Sequence, residues 1–184
     1  FQYENGWLLM AILFIPMGIV GVILMFINPD SLEKRLKMKE SESTQQKVIG
    51  ASALMFIGAF VSAGLSYRYE LLLLPRSWSL GFSFVFLLGY ALFALVLKEN
   101  AYLSRSIKVQ KNQVVVDTGL YGIVRHPMYL ATLILFLSMG FILGSIVSII
   151  VLCFYFPIIS KRIENEEQIL EKQLVGYKAY KNKD

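Results

Sequence analysis

Two short polar clusters hold most of the residues in this chain that are able to do chemistry. The first is Arg125-His126-Pro127-Met128-Tyr129, with the sole histidine, a side chain that ordinarily gains or loses its proton near neutral pH. The second is Lys161-Arg162-Ile163-Glu164-Asn165-Glu166-Glu167. Its arginine offers a planar fork for a carboxylate or phosphate, and its glutamates can pair with a cation or accept a proton. Arg162 and Glu166 are four positions apart and so share one face of a helix. Taken singly, each residue also has an ordinary role. Arg125, Lys161 and Arg162 would serve as headgroup anchors, and Tyr121, Tyr129, Tyr177 and Tyr180 as an interfacial belt. Glu164, Glu166, Glu167 and Glu171 would serve as the solvated face of a tail helix. Chemistry requires that the two clusters meet.

An apolar run over 130–160 separates them. From 127 to 160 is about 34 residues, or about 51 Å as one straight helix, whereas a bilayer core is only about 30 Å thick. Gly140 and Gly144 stand near the middle, where a tight turn needs a residue free of Cβ. Folded there, the run becomes a helical hairpin with both ends on one side, and His126 and Arg162 become neighbours.

The elements around this hairpin read as membrane spans. The chain has 184 residues, 56% of them hydrophobic, with a mean hydropathy of +0.58, and the apolar residues come in blocks. Uncharged runs over 7–27, 48–67 and 79–97, with the two hairpin arms, predict an all-α integral membrane protein of five transmembrane helices. It reads as one domain. Residues 1–97 supply three spans and a basic loop, and 98–184 supply the catalytic region: a polar connector, the hairpin and an amphipathic C-terminal helix. The second span carries many small residues, with Gly58 and Ser62 as a small-xxx-small pair. Val114-Val115-Val116 reads as a β-like edge or an extended loop. The chain opens on Phe1 rather than methionine, so a few native residues are expected before it.

Charge sets the orientation. Lys34, Arg35, Lys37, Lys39 and Lys47 crowd the first loop, and the 98–125 connector and the tail are also basic. The N-terminus and hairpin tip carry no lysine or arginine. The N-terminus is therefore expected outside, with the long connector, the C-terminus and both polar clusters on the cytosol-facing side. The net charge of +5 is read as topology signal and contact with anionic membrane lipid, not as a nucleic-acid footprint. Cys153 is the single cysteine, so no intramolecular disulfide or CxxC metal site is expected, and it reads as packing.

The motifs Thr118-Gly119-Leu120-Tyr121, Arg125-His126-Pro127-Met128-Tyr129, Arg162-Ile163-Glu164-Asn165-Glu166-Glu167 and Tyr177-Lys178-Ala179-Tyr180 occur in this order with the hairpin between them. Together, over about residues 107–181, they resemble the C-terminal half of the isoprenylcysteine carboxyl methyltransferase family, which is grouped with phospholipid N-methyltransferases. The resemblance implies that the cytosol-facing side holds a cofactor pocket, an S-adenosyl-L-methionine site that releases S-adenosyl-L-homocysteine. It implies that Gln110, Gln113 and the Val114, Val115 and Val116 backbone border the cofactor. Tyr121 and the turn His126, Pro127, Met128 and Tyr129 would continue that border. Pro127 suits the first turn of a helix, whose free N–H groups favour an anionic group such as the cofactor carboxylate. By the same resemblance Glu166 pairs with the cofactor ammonium and Arg162 engages the acceptor carboxylate; Arg162 is thus one catalytic candidate, and Glu167, as a carboxylate able to accept a proton, is the other. Gln113 departs from the family, whose members often carry histidine there.

The implied partner is a lipid-like or prenylated methyl acceptor. A carboxylate is already ionised at pH 7 and needs no base, only orientation and exclusion of water. A phospholipid headgroup amine must first lose a proton, to His126, Glu166 or Glu167. An NADPH-dependent enzyme like the sterol reductases, which share an RHP segment, and a non-catalytic membrane scaffold or sensor are the remaining alternatives.

Overall fold

A computed structural model describes residues 2–27, 43–100, 102–103 and 109–182. The expected turn at 28–31 and most of the basic first loop lie outside the described residues, as do Arg105 and Lys108 of the long connector. Seven α-helices are described: α1 (Glu4–Ile27), α2 (Ser43–Tyr69), α3 (Arg76–Glu99), α4 (Pro127–Leu143), α5 (Ile146–Cys153), α6 (Tyr155–Gln173) and α7 (Tyr177–Lys181). A 3-10 turn spans Gly119–Gly122. Among the described residues there is no regular strand, and Val114-Val115-Val116 is loop.

The hairpin forms, and its parts have local causes. Pro127 opens α4 at its first position, where a missing N–H costs nothing. Gly144 closes α4 in the left-handed region at φ 69°. A Cβ on Gly140 would lie 2.8 Å from the Ile149 side chain and 3.0 Å from its Cα, so α4 and α5 touch almost backbone to backbone. Ser145 then caps α5, its hydroxyl accepting from the Ser148 N–H at 3.2 Å. The second arm breaks at Phe154 between α5 and α6. Pro157 has no N–H to give to the Cys153 carbonyl four residues back, which interrupts the ladder there.

Four stretches among the described residues are long and apolar enough to cross a membrane: Glu4–Val22, Gln45–Tyr69, Arg76–Glu99 and Ile146–Gln173. The last combines α5 and α6. The first hairpin arm, α4, has 17 residues, or about 26 Å, and is the shorter apolar helix of the set. Large apolar side chains such as Phe14, Ile57, Phe84 and Leu88 face outward, as lipid-facing surfaces do and water-facing ones rarely do.

The core is gathered around the hairpin, with Phe86, Ala59, Ile142 and Leu152 at or near zero exposure. In α2 the packed small residues are Ala59 and Ala63, aligned with Met55 and Ser66 at helical spacing. Of the expected pair, Gly58 approaches Val151, while the Ser62 hydroxyl turns back to the Ala59 carbonyl at 2.9 Å.

The N-terminus, the 70–75 connector and the hairpin tip gather at one end. The Tyr3 hydroxyl donates to the Leu143 carbonyl at 2.6 Å. The Leu74 N–H reaches the Gly144 carbonyl at 2.9 Å, and the Ile146 N–H reaches the Leu72 carbonyl at 3.1 Å. The 109–125 connector, the base of the hairpin and the C-terminal tail gather at the other.

Candidate functional site

At the base of the hairpin lies a cavity of about 600 Å³, a size typical of ligand pockets, roughly 300–1,000 Å³. Its floor and walls are apolar, from Phe56 on α2, Phe93 on α3, Phe136 on α4 and Ile159 on α6. Phe136 meets Phe56 and Tyr155 edge to face, with ring centroids 4.7 and 4.8 Å apart. The Tyr155 hydroxyl is satisfied within this apolar zone by the Thr132 hydroxyl at 2.9 Å. The mouth is polar and is closed over by α7 and the segment before it, through Leu174, Tyr177 and Tyr180.

One hydrogen-bonded chain marks the boundary between the two zones. Arg162 Nε donates to the Tyr129 hydroxyl at 3.1 Å, and that hydroxyl donates to Glu166 Oε2. The guanidinium also lies over the Tyr129 ring, 5.9 Å from its centroid. Arg162 and Glu166 stand one turn apart on α6, and both line the cavity. Tyr129 stands between them because α4 starts at Pro127, which places its ring in the first turn facing α6.

The adjacent glutamate points elsewhere. One step along a helix is about 100°, and Glu167 leaves the lining altogether. Its Oε1 lies 3.0 Å from His126 Nε2 and 3.4 Å from an Arg125 nitrogen, and its Oε2 lies 2.8 Å from Lys181 Nζ. Lys181 also reaches Glu171 at 2.5 Å. The hydrogen bond to Glu167, then that to Glu171, raises the lysine pKa above its usual value. Glu167, expected to act directly, instead joins the tail to the back of His126, and only His126 of that pair borders the cavity.

The expected cofactor border is brought together with one exception. Gln113, Val114, Val115, Val116, Tyr121, His126, Pro127, Met128, Tyr129 and Glu166 all line the cavity, and Gln110 does not. Gln110 builds the turn behind it. Its backbone N–H donates to Gln113 Oε1 at 2.8 Å, and its own amide donates to the Tyr102 carbonyl at 2.6 Å. Burial pushes the Tyr121 phenol up to about 12, against the opposing pull of its hydrogen bond from Asn100, so it is a neutral hydroxyl at pH 7. Asn100 Nδ2 donates to it at 3.0 Å, and the Tyr180 hydroxyl donates to the Tyr121 carbonyl at 2.6 Å. Burial, and then Glu167, raises the Tyr177 phenol as well.

Several contributors carry no signal in the sequence. Glu99, at the end of α3, sits against Gly119 and accepts from the Leu120 N–H at 2.9 Å, which fixes the 3-10 turn that presents Tyr121. Gln45, at the start of α2, is fully buried and accepts from an Arg162 nitrogen at 2.9 Å. Asn100 could have been suspected only as a polar residue ending an apolar run.

The family comparison agrees with the motifs and extends them. The sequence model of the isoprenylcysteine carboxyl methyltransferase (ICMT) family matches residues 79–172, just over half of the chain. The match takes in α3, which the motifs alone left out, and stops short of Tyr177 and Tyr180. No curated protein and no solved structure gives a match to the chain. The family match runs through most of α3, the hairpin and nearly all of α6, of which α3 and the combined α5–α6 stretch are able to span a membrane, and takes in both polar clusters at the cavity: the chain belongs to the isoprenylcysteine carboxyl methyltransferase family and is a membrane methyltransferase.

Proposed function

We propose that the cavity takes S-adenosyl-L-methionine at its polar mouth and the carboxylate of an isoprenylcysteine-like or other amphipathic acceptor at the Arg162 boundary. The observation that carries this reading is the Arg162–Tyr129–Glu166 chain, which sets a cation and an anion side by side where the polar and apolar zones meet. The residues present suit the cofactor. Glu166 offers a carboxylate to an ammonium, the first turn of α4 offers the Met128 N–H to a carboxylate while those of Tyr129 and Leu130 bond to the His126 carbonyl, and the tyrosines of the mouth offer faces to an adenine. When bound, the cofactor supplies a methyl group activated on a sulfonium.

The chain's own part is to bind, orient and exclude water. Arg162, steadied by Tyr129, holds an anionic acceptor by a charge-assisted bond and offsets the cost of bringing its carboxylate out of water. The phenylalanines of the floor receive its apolar part and keep water from the transfer. Glu166 serves the cofactor and Arg162 the acceptor, so a carboxylate route needs no proton acceptor. A headgroup amine is the second reading, favoured by one feature: His126 borders the cavity with Glu167 at 3.0 Å behind it, an arrangement able to take a proton.

In this reading the hairpin arms complete five crossings, with the N-terminus outside and the cavity opening to the cytoplasm. The clustering of the N-terminus, the 70–75 connector and the hairpin tip at one end supports the alternation of loops. Calorimetric titration of the detergent-solubilised protein tests the cofactor assignment. S-adenosyl-L-methionine is expected to bind with NADPH silent, and the reverse result would overturn it.

A further inference from the structure

Gln45 is a buried polar residue that the reaction scheme leaves without a task. It stands in the first turn of α2, outside the segment that matches the family, and has no exposed surface. An amide out of water must find partners or pay a desolvation cost, and both ends of this one go to a single residue 117 positions away. Its Oε1 accepts from an Arg162 nitrogen at 2.9 Å, and its Nε2 lies 3.5 Å from the Arg162 carbonyl. Gln45 does not border the cavity, although Val48, Ile49 and Ser52, one and two turns on, do.

We infer that Gln45 is a positioning residue: it holds the Arg162 guanidinium at the boundary of the cavity and so sets the affinity for an anionic acceptor. The guanidinium is gripped along two edges, at Nε by the Tyr129 hydroxyl and at a terminal nitrogen by the Gln45 amide. Tyr129 and Gln45 are neutral side chains, so they steady the plane of the fork without adding an opposing charge, as a carboxylate in place of Gln45 would. A fork bonds well only when its plane is set, so this pair orders the cation before the acceptor arrives. It also makes α2 part of the acceptor site, since α6 and α4 supply Arg162 and Tyr129 and α2 supplies the brace.

The inference rests on the reading of Arg162 as the acceptor contact, and the test separates the two. Binding of a prenylcysteine acid is measured by calorimetry on the full chain saturated with S-adenosyl-L-homocysteine, alongside the affinity for S-adenosyl-L-homocysteine itself. Gln45→Met keeps the length but loses the acceptor atom, and is expected to weaken acid binding about tenfold with the nucleoside affinity unchanged. Gln45→Glu keeps a bond to Arg162 and hence the fold, but cancels its charge, and is also expected to weaken acid binding. In an Arg162→Lys background the Gln45→Met change should add nothing, because the residue acts through the guanidinium. Wild-type acid binding in Gln45→Met, or an equal loss of nucleoside binding, overturns the inference. If Gln45→Met is not monodisperse, Gln45→Glu decides, with full acid binding as the contrary result. Wild-type acid binding in Arg162→Lys overturns the reading of Arg162 instead.

Discussion

The tip and the base of the hairpin are held by different kinds of bond. At the tip the partners are backbone amides and hydroxyls: Leu74 with Gly144, Ile146 with Leu72, Tyr3 with Leu143, and the Ser145 hydroxyl donating to the Ser66 hydroxyl at 2.9 Å. The ion pair near that end, Arg76 with Glu4, is exposed on both sides and contributes little. At the base the charged side chains lie in two groups, Arg162 and Glu166 joined through the Tyr129 hydroxyl and Glu167 bonded to His126 and Lys181, several of them half-buried. Neutral bonds satisfy backbone groups that have no water to turn to, at no cost in buried charge. Charges near a membrane interior are expensive and are kept where a ligand's own charges need them. The tip is therefore built for stability and the base for binding.

A substitution at each end should separate these properties, and the tip should give the larger effect. In Gly140→Val the added carbons meet Ile149, including its backbone, so the arms must part. Overpacking of this kind costs about 2–3 kcal/mol, or roughly 5–10 °C in thermal midpoint for a chain of this size. A thermal ramp read by size-exclusion chromatography in detergent checks it. Cofactor affinity of the surviving folded fraction should be unchanged. A wild-type midpoint would mean that the close approach of α4 and α5 is not a source of stability.

At the base the expected pattern reverses. Glu166→Ala removes the carboxylate but also a partner of Tyr129, and should weaken S-adenosyl-L-methionine binding by about 10- to 100-fold, or roughly 1.5–3 kcal/mol. The thermal midpoint should move little. An unchanged calorimetric affinity would return Glu166 to the role of a solvated helix face.

The smallest effect concerns the tail and pH. Lys181 has its pKa raised by Glu167 first and Glu171 second, so the charged lysine is favoured when the tail is docked. Its contribution is complete below the ordinary lysine value of about 10.5 and is lost only as pH rises through the higher docked value. A fluorine tag at position 182 should report a docked tail from pH 6 to pH 9, with mobility growing only above about pH 10.5. Release of the tail near neutrality would contradict the Lys181–Glu167 contact.

Much of this arrangement was legible in the sequence, for reasons of length and local spacing. The apolar run was too long for one crossing and had glycines at its centre, so the hairpin followed. Arg162 and Glu166 share a face by helical geometry, so their meeting in the cavity followed too. Glu166 and Glu167 have the same chemistry, and which faced the cavity depended on the roll of α6 set by its packing. The break at Phe154 follows from Pro157 once the hairpin is fixed, but apolar content alone concealed it. Gln45 had no periodic signal because its partner lies far along the chain, and the packed stripe of α2 fell one position from the pair marked by small residues. Gln110 was expected at the border and instead shapes the turn behind it.

The central claim is that Arg162 presents an anionic acceptor to a methyl donor, and turnover with two acceptors tests it most directly. Methyl transfer from S-adenosyl-L-methionine is measured for a prenylcysteine acid and for an aminophospholipid, with the native chain and with Arg162→Lys. The account predicts methylation of the acid by the native chain and a loss of at least about tenfold in Arg162→Lys, since the lysine keeps the charge but not the fork. Methylation of the amine alone, or full activity of the lysine variant on the acid, would contradict it and move the chemistry to His126 and Glu167.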